Sequence, residues 1–134
     1  MKRTPLKRTK PMKRSRKKAA PKEIRDHWSR VARLGCCVTF QDEATIHHVH
    51  GGSIREALGS AAMPGMAQKQ NDWLVIPLHP RLHTGQDGID TGIGVATWEA
   101  KHGRQIDYLK KVRDQIRRRY GYDIFEKARL VVDG

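Results

Sequence analysis

The chain has 134 residues, with 27 Lys or Arg against 14 Asp or Glu and a formal net charge of +13. That length suits one domain and leaves little room for a second. No run nears the roughly 20 apolar residues of a membrane span, and the basic start lacks the apolar core of a secretory signal, so membrane-spanning and secreted classes are not expected.

Residues 1–20 hold ten Lys or Arg and no acid, so they carry +10 of the +13. Like charges repel, and a stretch this poor in apolar residues cannot bury enough surface to fold. It is expected to be a disordered basic arm (1–20) ahead of a folded body (21–134). Lys2, Arg3, Lys7, Arg8, Lys13, Arg14, Arg16, Lys17 and Lys18 are its candidate phosphate contacts, releasing counterions and weakening steeply with salt. A localisation signal, ribosomal-RNA binding or a solubilising tail are the plainer readings of such a run.

Pro21 opens a helix in which Ile24, Trp28, Val31 and Leu34 share one face, and Gly35 is a natural stop. Residues 36–40 and 44–49 read as two short strands around a turn, with Gly51-Gly52 ending the second. Residues 53–70 read as a long loop with at most a helical turn at 54–58. Residues 73–78 read as a buried strand with Pro77 near its end. Pro80 begins a helix that places His83 in its first turn. Glycines at 85, 88, 92 and 94 mark a second loop. Helices follow at about 95–102 and 105–120, the latter with Ile106, Leu109, Val112 and Ile116 in one stripe. Residues 121–134 have no clear pattern. The order of elements indicates an α+β fold.

Five of the seven histidines (47, 48, 50, 79 and 83) fall between positions 47 and 83. His47 and His48 are adjacent at a strand end, where twist lets one hold a metal while its neighbour addresses a substrate. His79 and His83 are one helical turn apart, so both turn toward one point. His47, His79 and His83 are therefore the candidate metal ligands, and His48, mostly neutral near pH 7, is the candidate base. A base of this kind needs its other ring nitrogen held by an acceptor, and Asn71 or Asp72 is the candidate. The cofactor would be one divalent ion (Zn²⁺, Mn²⁺, Ni²⁺ or Mg²⁺), nitrogen donors favouring the transition metals over Mg²⁺. The alternative is a structural zinc drawing on Cys36, Cys37 and His50 in a non-catalytic nucleic-acid-binding protein. Two adjacent cysteines cannot build a disulfide framework, which fits a reducing compartment. His27 and His102, each on an expected helix, read as solvent-facing or locally hydrogen-bonded.

The pieces Ile46-His-His-Val-His-Gly51 and Val75-Ile-Pro-Leu-His-Pro-Arg-Leu-His83, with Cys37, Thr97-Trp-Glu-Ala-Lys-His-Gly103 and the basic arm, resemble the HNH (ββα-metal) endonucleases. More narrowly, they are similar to the phage recombination enhancement (Ref) family of RecA-dependent nucleases. The resemblance implies an HNH core with flanking helices, His47, His79 and His83 as ligands and His48 as general base. It implies a metal-dependent DNA endonuclease acting on recombination or repair intermediates, with DNA and RecA filaments as partners, in the cytoplasm of a bacterial host and encoded by a phage or prophage. Two departures stand out. Many relatives have cysteine where His79 stands, and their zinc knuckle is here at most Cys36-Cys37.

Overall fold

A computed structural model describes residues 19–62 and 71–129. The arm residues from Lys2 to Lys18 lie outside the described residues.

Pro21 enters helix α1 (Lys22–Ala32) in an extended conformation, φ −52° and ψ 151°. A residue without an N–H is tolerated there because the first turn of a helix has no internal acceptor. Ile24, His27 and Val31 are buried, and Trp28 and Leu34 pack against the same core. The apolar stripe thus lies on the face its spacing indicates. His27 departs from expectation: it is fully buried, with Nδ1 2.6 Å from Tyr122 Oη and Nε2 3.1 Å from the Trp73 carbonyl oxygen. Burial lowers its pKa to about 4, so the ring is neutral and belongs to the core.

The strand expected at 36–40 is a closed turn instead. Phe40 N–H donates to Cys36 O, and Cys36 N–H donates to Gln41 O, both at 2.8 Å. One bond joins this segment to the sheet, from Cys37 N–H to Pro77 O at 3.0 Å. Proline has no N–H to return it, so the ladder stops after one rung. The sheet is therefore two-stranded among the described residues. Strands β1 (Thr45–His48) and β2 (Val75–Leu78) run antiparallel, with Thr45 opposite Leu78 and His48 opposite Val75. All of β2 is buried.

Residues 52–62 also differ from expectation, forming helix α2 (Gly52–Ala62) interrupted at Gly59. Its start has a remote cap that local sequence does not reveal: Glu99 Oε1 accepts the Ser53 N–H at 2.9 Å. Glu99 Oε2 also accepts the Ser53 hydroxyl. The fully buried Ile54 anchors the first turn.

After β2, His79 caps the four-residue helix α3 (Pro80–His83). The glycine-rich loop then folds back on α3, with Ile89 N–H donating to Leu82 O and Asp90 N–H to His83 O at 3.0 and 3.1 Å. Its closeness requires glycine at 92, where a Cβ would lie 2.5 Å from Gly88 N and 2.6 Å from Gln86 O.

Helix α4 (Val95–His102) buries Trp98, whose indole N–H donates to Leu82 O at 3.0 Å. Helix α5 (Gln105–Tyr120) buries Ile106, Leu109, Val112 and Ile116 as one stripe. A short α6 (Ile124–Lys127) follows, capped by Asp123. The architecture is α+β, with helices packed around a small antiparallel sheet. Among the described residues no helix is long and apolar enough to cross a membrane.

Candidate metal centre

Strand alternation decides which histidine goes inward. His47 is fully buried, whereas Ile46 and His48 on the other face of β1 are half-buried. Thr45 shares the face of His47; Thr45 meets His83 at the end of α3, and His47 meets Asp90 in the loop that follows.

Asp90 is the hub. Its Oδ1 lies 2.8 Å from His50 Nε2. Its Oδ2 lies 2.9 Å from His83 Nε2 and 3.4 Å from His47 Nδ1.

Proton positions can be worked out from the outer contacts. The Gln105 side chain is fully buried; its Nε2 donates to His50 O at 2.7 Å and its Oε1 accepts the His50 N–H at 3.2 Å. That pairing fixes the amide orientation, so the Oε1 that meets His47 Nε2 at 3.0 Å must accept a proton from it. A neutral His47 therefore carries its proton on Nε2. Its Nδ1 is buried, has no hydrogen-bond partner and presents a lone pair to Asp90.

His83 is fixed in the same way. The Thr45 hydroxyl gives its single proton to Leu78 O at 3.0 Å, so toward His83 Nδ1, 2.8 Å away, it can only accept. A neutral His83 then turns the lone pair of Nε2 toward Asp90 as well. Two lone pairs and a carboxylate meet at one point, which is repulsive unless positive charge sits between them.

A divalent cation fits that requirement. Ligating atoms of His47, His50 and Asp90 all lie within 4.8 Å of one another, with His83 Nε2 beside the same carboxylate. Donors about 2.1 Å from a tetrahedral zinc are separated by roughly 3.4 Å, close to the 3.4 Å between His47 Nδ1 and Asp90 Oδ2. Three imidazoles and one carboxylate suit Zn²⁺, Mn²⁺ or Ni²⁺ better than Mg²⁺.

Comparison with protein-family models, curated proteins and solved structures finds no match to this chain. The reading of the site therefore rests on its own chemistry.

Of the three ligands expected from the sequence, His47 and His83 meet at this centre and His79 does not. His79 Nδ1 accepts the Arg81 N–H at 3.2 Å as the cap of its own helix. Its Nε2 faces Glu43 at 3.4 Å. Capping competes with ligation for the same ring, which accounts for its place. Two members of the centre, Asp90 and Gln105, had no signal in the sequence, and His50 had been set aside for a structural zinc.

Around His48, the structure separates Asn71 from Asp72. Asn71 accepts the Trp73 N–H at 3.0 Å and donates to Ala128 O at 3.3 Å, shaping the turn before β2. Asp72 Oδ1 lies 3.0 Å from His48 Nε2. Trp28 braces both, its indole N–H donating to Asp72 O at 2.9 Å and its ring meeting His48 edge-on at 5.4 Å. Neither cysteine joins the centre. The buried Cys36 sulfur accepts the Thr39 N–H at 3.4 Å, and burial pushes the Cys37 thiol up to about 12. His102 packs at a tilt against Trp98 with centroids 5.2 Å apart, and its Nε2 is buried without a hydrogen-bond partner, so that ring nitrogen is neither solvent-facing nor hydrogen-bonded as expected.

Proposed function

We propose that the protein is a metal-dependent phosphodiesterase acting on nucleic acid. One observation carries the reading: His47 Nδ1 and His83 Nε2 both face Asp90, and with neutral rings both turn lone pairs toward it, an arrangement that a divalent cation would satisfy. A bound divalent ion would neutralise phosphate charge and make water a better nucleophile. The chain's own residues supply the rest. Asp72 accepts a hydrogen bond from His48 Nε2–H and holds the ring, leaving Nδ1 to accept a proton from the attacking water. His47 and His48 leave β1 on opposite faces, so the scissile phosphate would lie at the end of β1, between the partly exposed His48 and Asp90. The basic arm suits a polyanion.

The finer reading, a DNA endonuclease of HNH type working on recombination or repair intermediates with RecA filaments as partner, is supported by the resemblance of the two histidine segments. The test is cleavage of DNA by wild type, Asp90→Asn and His48→Ala across a series of divalent metals, each with and without RecA and ATP. Cleavage by wild type should be lost in both variants, with metal binding lost only in Asp90→Asn. Cleavage that survives His48→Ala would remove the assigned base.

A second reading has its own support. The group that could hold a metal, His47, His50 and Asp90, includes the fully buried His47, as in a structural zinc site. Chelation separates the two readings, because removing a structural zinc unfolds a small domain, whereas removing a catalytic ion stops cleavage and leaves most of the fold.

A further inference from the structure

Phe40 is 83% exposed, the most exposed large hydrophobic side chain among the described residues. It also has φ +61°, a left-handed conformation that a bulky side chain rarely adopts. The turn imposes this through the paired bonds between Cys36, Phe40 and Gln41, so the ring is held outward on a rigid base. Strain retained at an exposed residue points to a use for that residue.

The neighbours of Phe40 say what it meets. Thr39 and Gln41, on either side of it, line a groove of about 380 Å³ together with His79, Arg81, Asp87 and Lys101. Arg81 and Lys101 both point at Asp87, at 3.2 and 3.7 Å, so two cations share one carboxylate. Their side chains are 73% and 56% exposed, respectively, which leaves both able to take a phosphate as well. The groove follows α3, whose last residue, His83, belongs to the metal centre. The Phe40 ring lies outside the lining but stands between two residues that belong to it, so a base on the ring and phosphates in the groove can come from one strand; an apolar protein partner would need a wider hydrophobic patch.

We infer that this groove and the Phe40 ring beside it form a nucleic-acid contact on the folded body, separate from the arm: Phe40 stacks on an unpaired base, and Arg81 and Lys101, in the groove, hold the adjoining phosphates. The inference rests on the proposed nucleic-acid function and adds that the strand beside the centre is locally unpaired, since a base inside a duplex offers no free face.

The experiment is equilibrium binding of the full chain to fluorescent single-stranded and duplex oligonucleotides with cleavage-resistant phosphorothioate linkages. Salt is raised until contacts of the arm are weak. Phe40→Gly suits the test because glycine accepts the same backbone conformation and little packing is lost, so the variant should melt no lower than wild type. Phe40→Gly should weaken single-strand binding about tenfold and duplex binding by less than twofold, with Phe40→Trp restoring the loss. An equal loss on both ligands, no loss, or failure of tryptophan to restore binding would overturn the inference. Because binding is read without cleavage, a selective loss in a protein that never cuts DNA would keep the groove and remove the enzymatic reading.

Discussion

The Gln105 carboxamide and the His47 imidazole meet at 3.0 Å, and this bond joins the start of α5 to the centre of the candidate metal site. The same carboxamide pairs with both backbone polar groups of His50, so one side chain holds two ligands. Gln105 is itself held, because its N–H donates to Glu99 Oε2 at 2.7 Å. Outer contacts of this kind fix which ring nitrogen faces the metal.

Gln105→Ala should therefore lower affinity for Zn²⁺ or Mn²⁺ by about 10–100-fold. Titration calorimetry, well below the variant's melting temperature, checks this. The temperature matters because buried polar groups of His50 lose their partners, at a cost of about 1–3 kcal/mol. Gln105→Glu should recover part of the affinity: it keeps an acceptor for His47 but turns a second acceptor toward His50 O. Affinity within twofold of wild type for the alanine variant would show that His47 needs no such support.

The contact between His48 and Asp72 makes a different prediction, on rate and not on metal. Asp72→Asn should reduce metal-dependent cleavage by about 10²–10⁴-fold and leave metal affinity unchanged, because His48 lies on the opposite face of β1 from Asp90. Trp28→Phe keeps a ring against His48 but frees Asp72 O from its indole donor, so its loss should be smaller. Equal losses of metal binding and cleavage in Asp72→Asn would mean that the pair is structural.

The helices were legible in the sequence where burial follows a period. Ile106, Leu109, Val112 and Ile116 declare α5, and Ile24 and Val31 declare α1, because one apolar face has to leave water. His47 and His83 were legible as a pair through their strand and helix positions. Other features depend on closure of distant chain segments. Asp90 reaches the centre because a glycine-bearing loop doubles back on α3, and Gln105 comes from 58 positions beyond His47. The start of α2 is capped by Glu99 from 46 residues away, which no window over residues 53–70 contains. The turn at 36–40 had strand-like composition, but the single donor missing at Pro77 decided the outcome.

Asp123 gives a pH prediction. The Arg113 guanidinium, with bonds of 2.8 and 2.7 Å, and Arg117 at 2.9 Å lower its carboxyl pKa to about 2. The folded value lies below the unfolded one of about 3.9, so the carboxylate stabilises the fold fully above that pH and progressively less as pH falls toward 2. Arg117 is largely exposed, so the contribution is discounted to about 1–2 kcal/mol. Asp123→Asn keeps an acceptor for the Phe125 N–H but not the charge. Urea unfolding should find wild type more stable than the variant at pH 6, with the gap narrowing between pH 4 and 2. A gap that does not change with pH would show that the Asp123 charge contributes nothing to stability.

Gly52 tests whether the fold around α2 supports the metal site. Its φ is +43°, and a Cβ there would fall 1.9 Å from Glu99 Oε1 and 2.9 Å from Val95 Cγ1. Glu99 cannot simply swing aside, because its carboxylate holds the Ser53 N–H, the Ser53 hydroxyl and the Gln105 N–H. Gly52→Ala must therefore break part of that set as well as strain the backbone, for a combined cost of about 2–4 kcal/mol. Releasing Gln105 should also weaken metal binding. Gly59 is the matched control, with φ +61° and nothing within 4 Å of its would-be Cβ. Gly59→Ala should cost only the backbone strain of a φ +61°, ψ −157° conformation that glycine alone readily adopts, about 1–3 kcal/mol, and leave metal affinity as in wild type. Denaturant unfolding and metal titration of both variants decide the matter. If Gly52→Ala weakens metal binding and Gly59→Ala does not, support for the site passes from α2 through Glu99 to Gln105. Equal behaviour of the two would break that chain at Glu99.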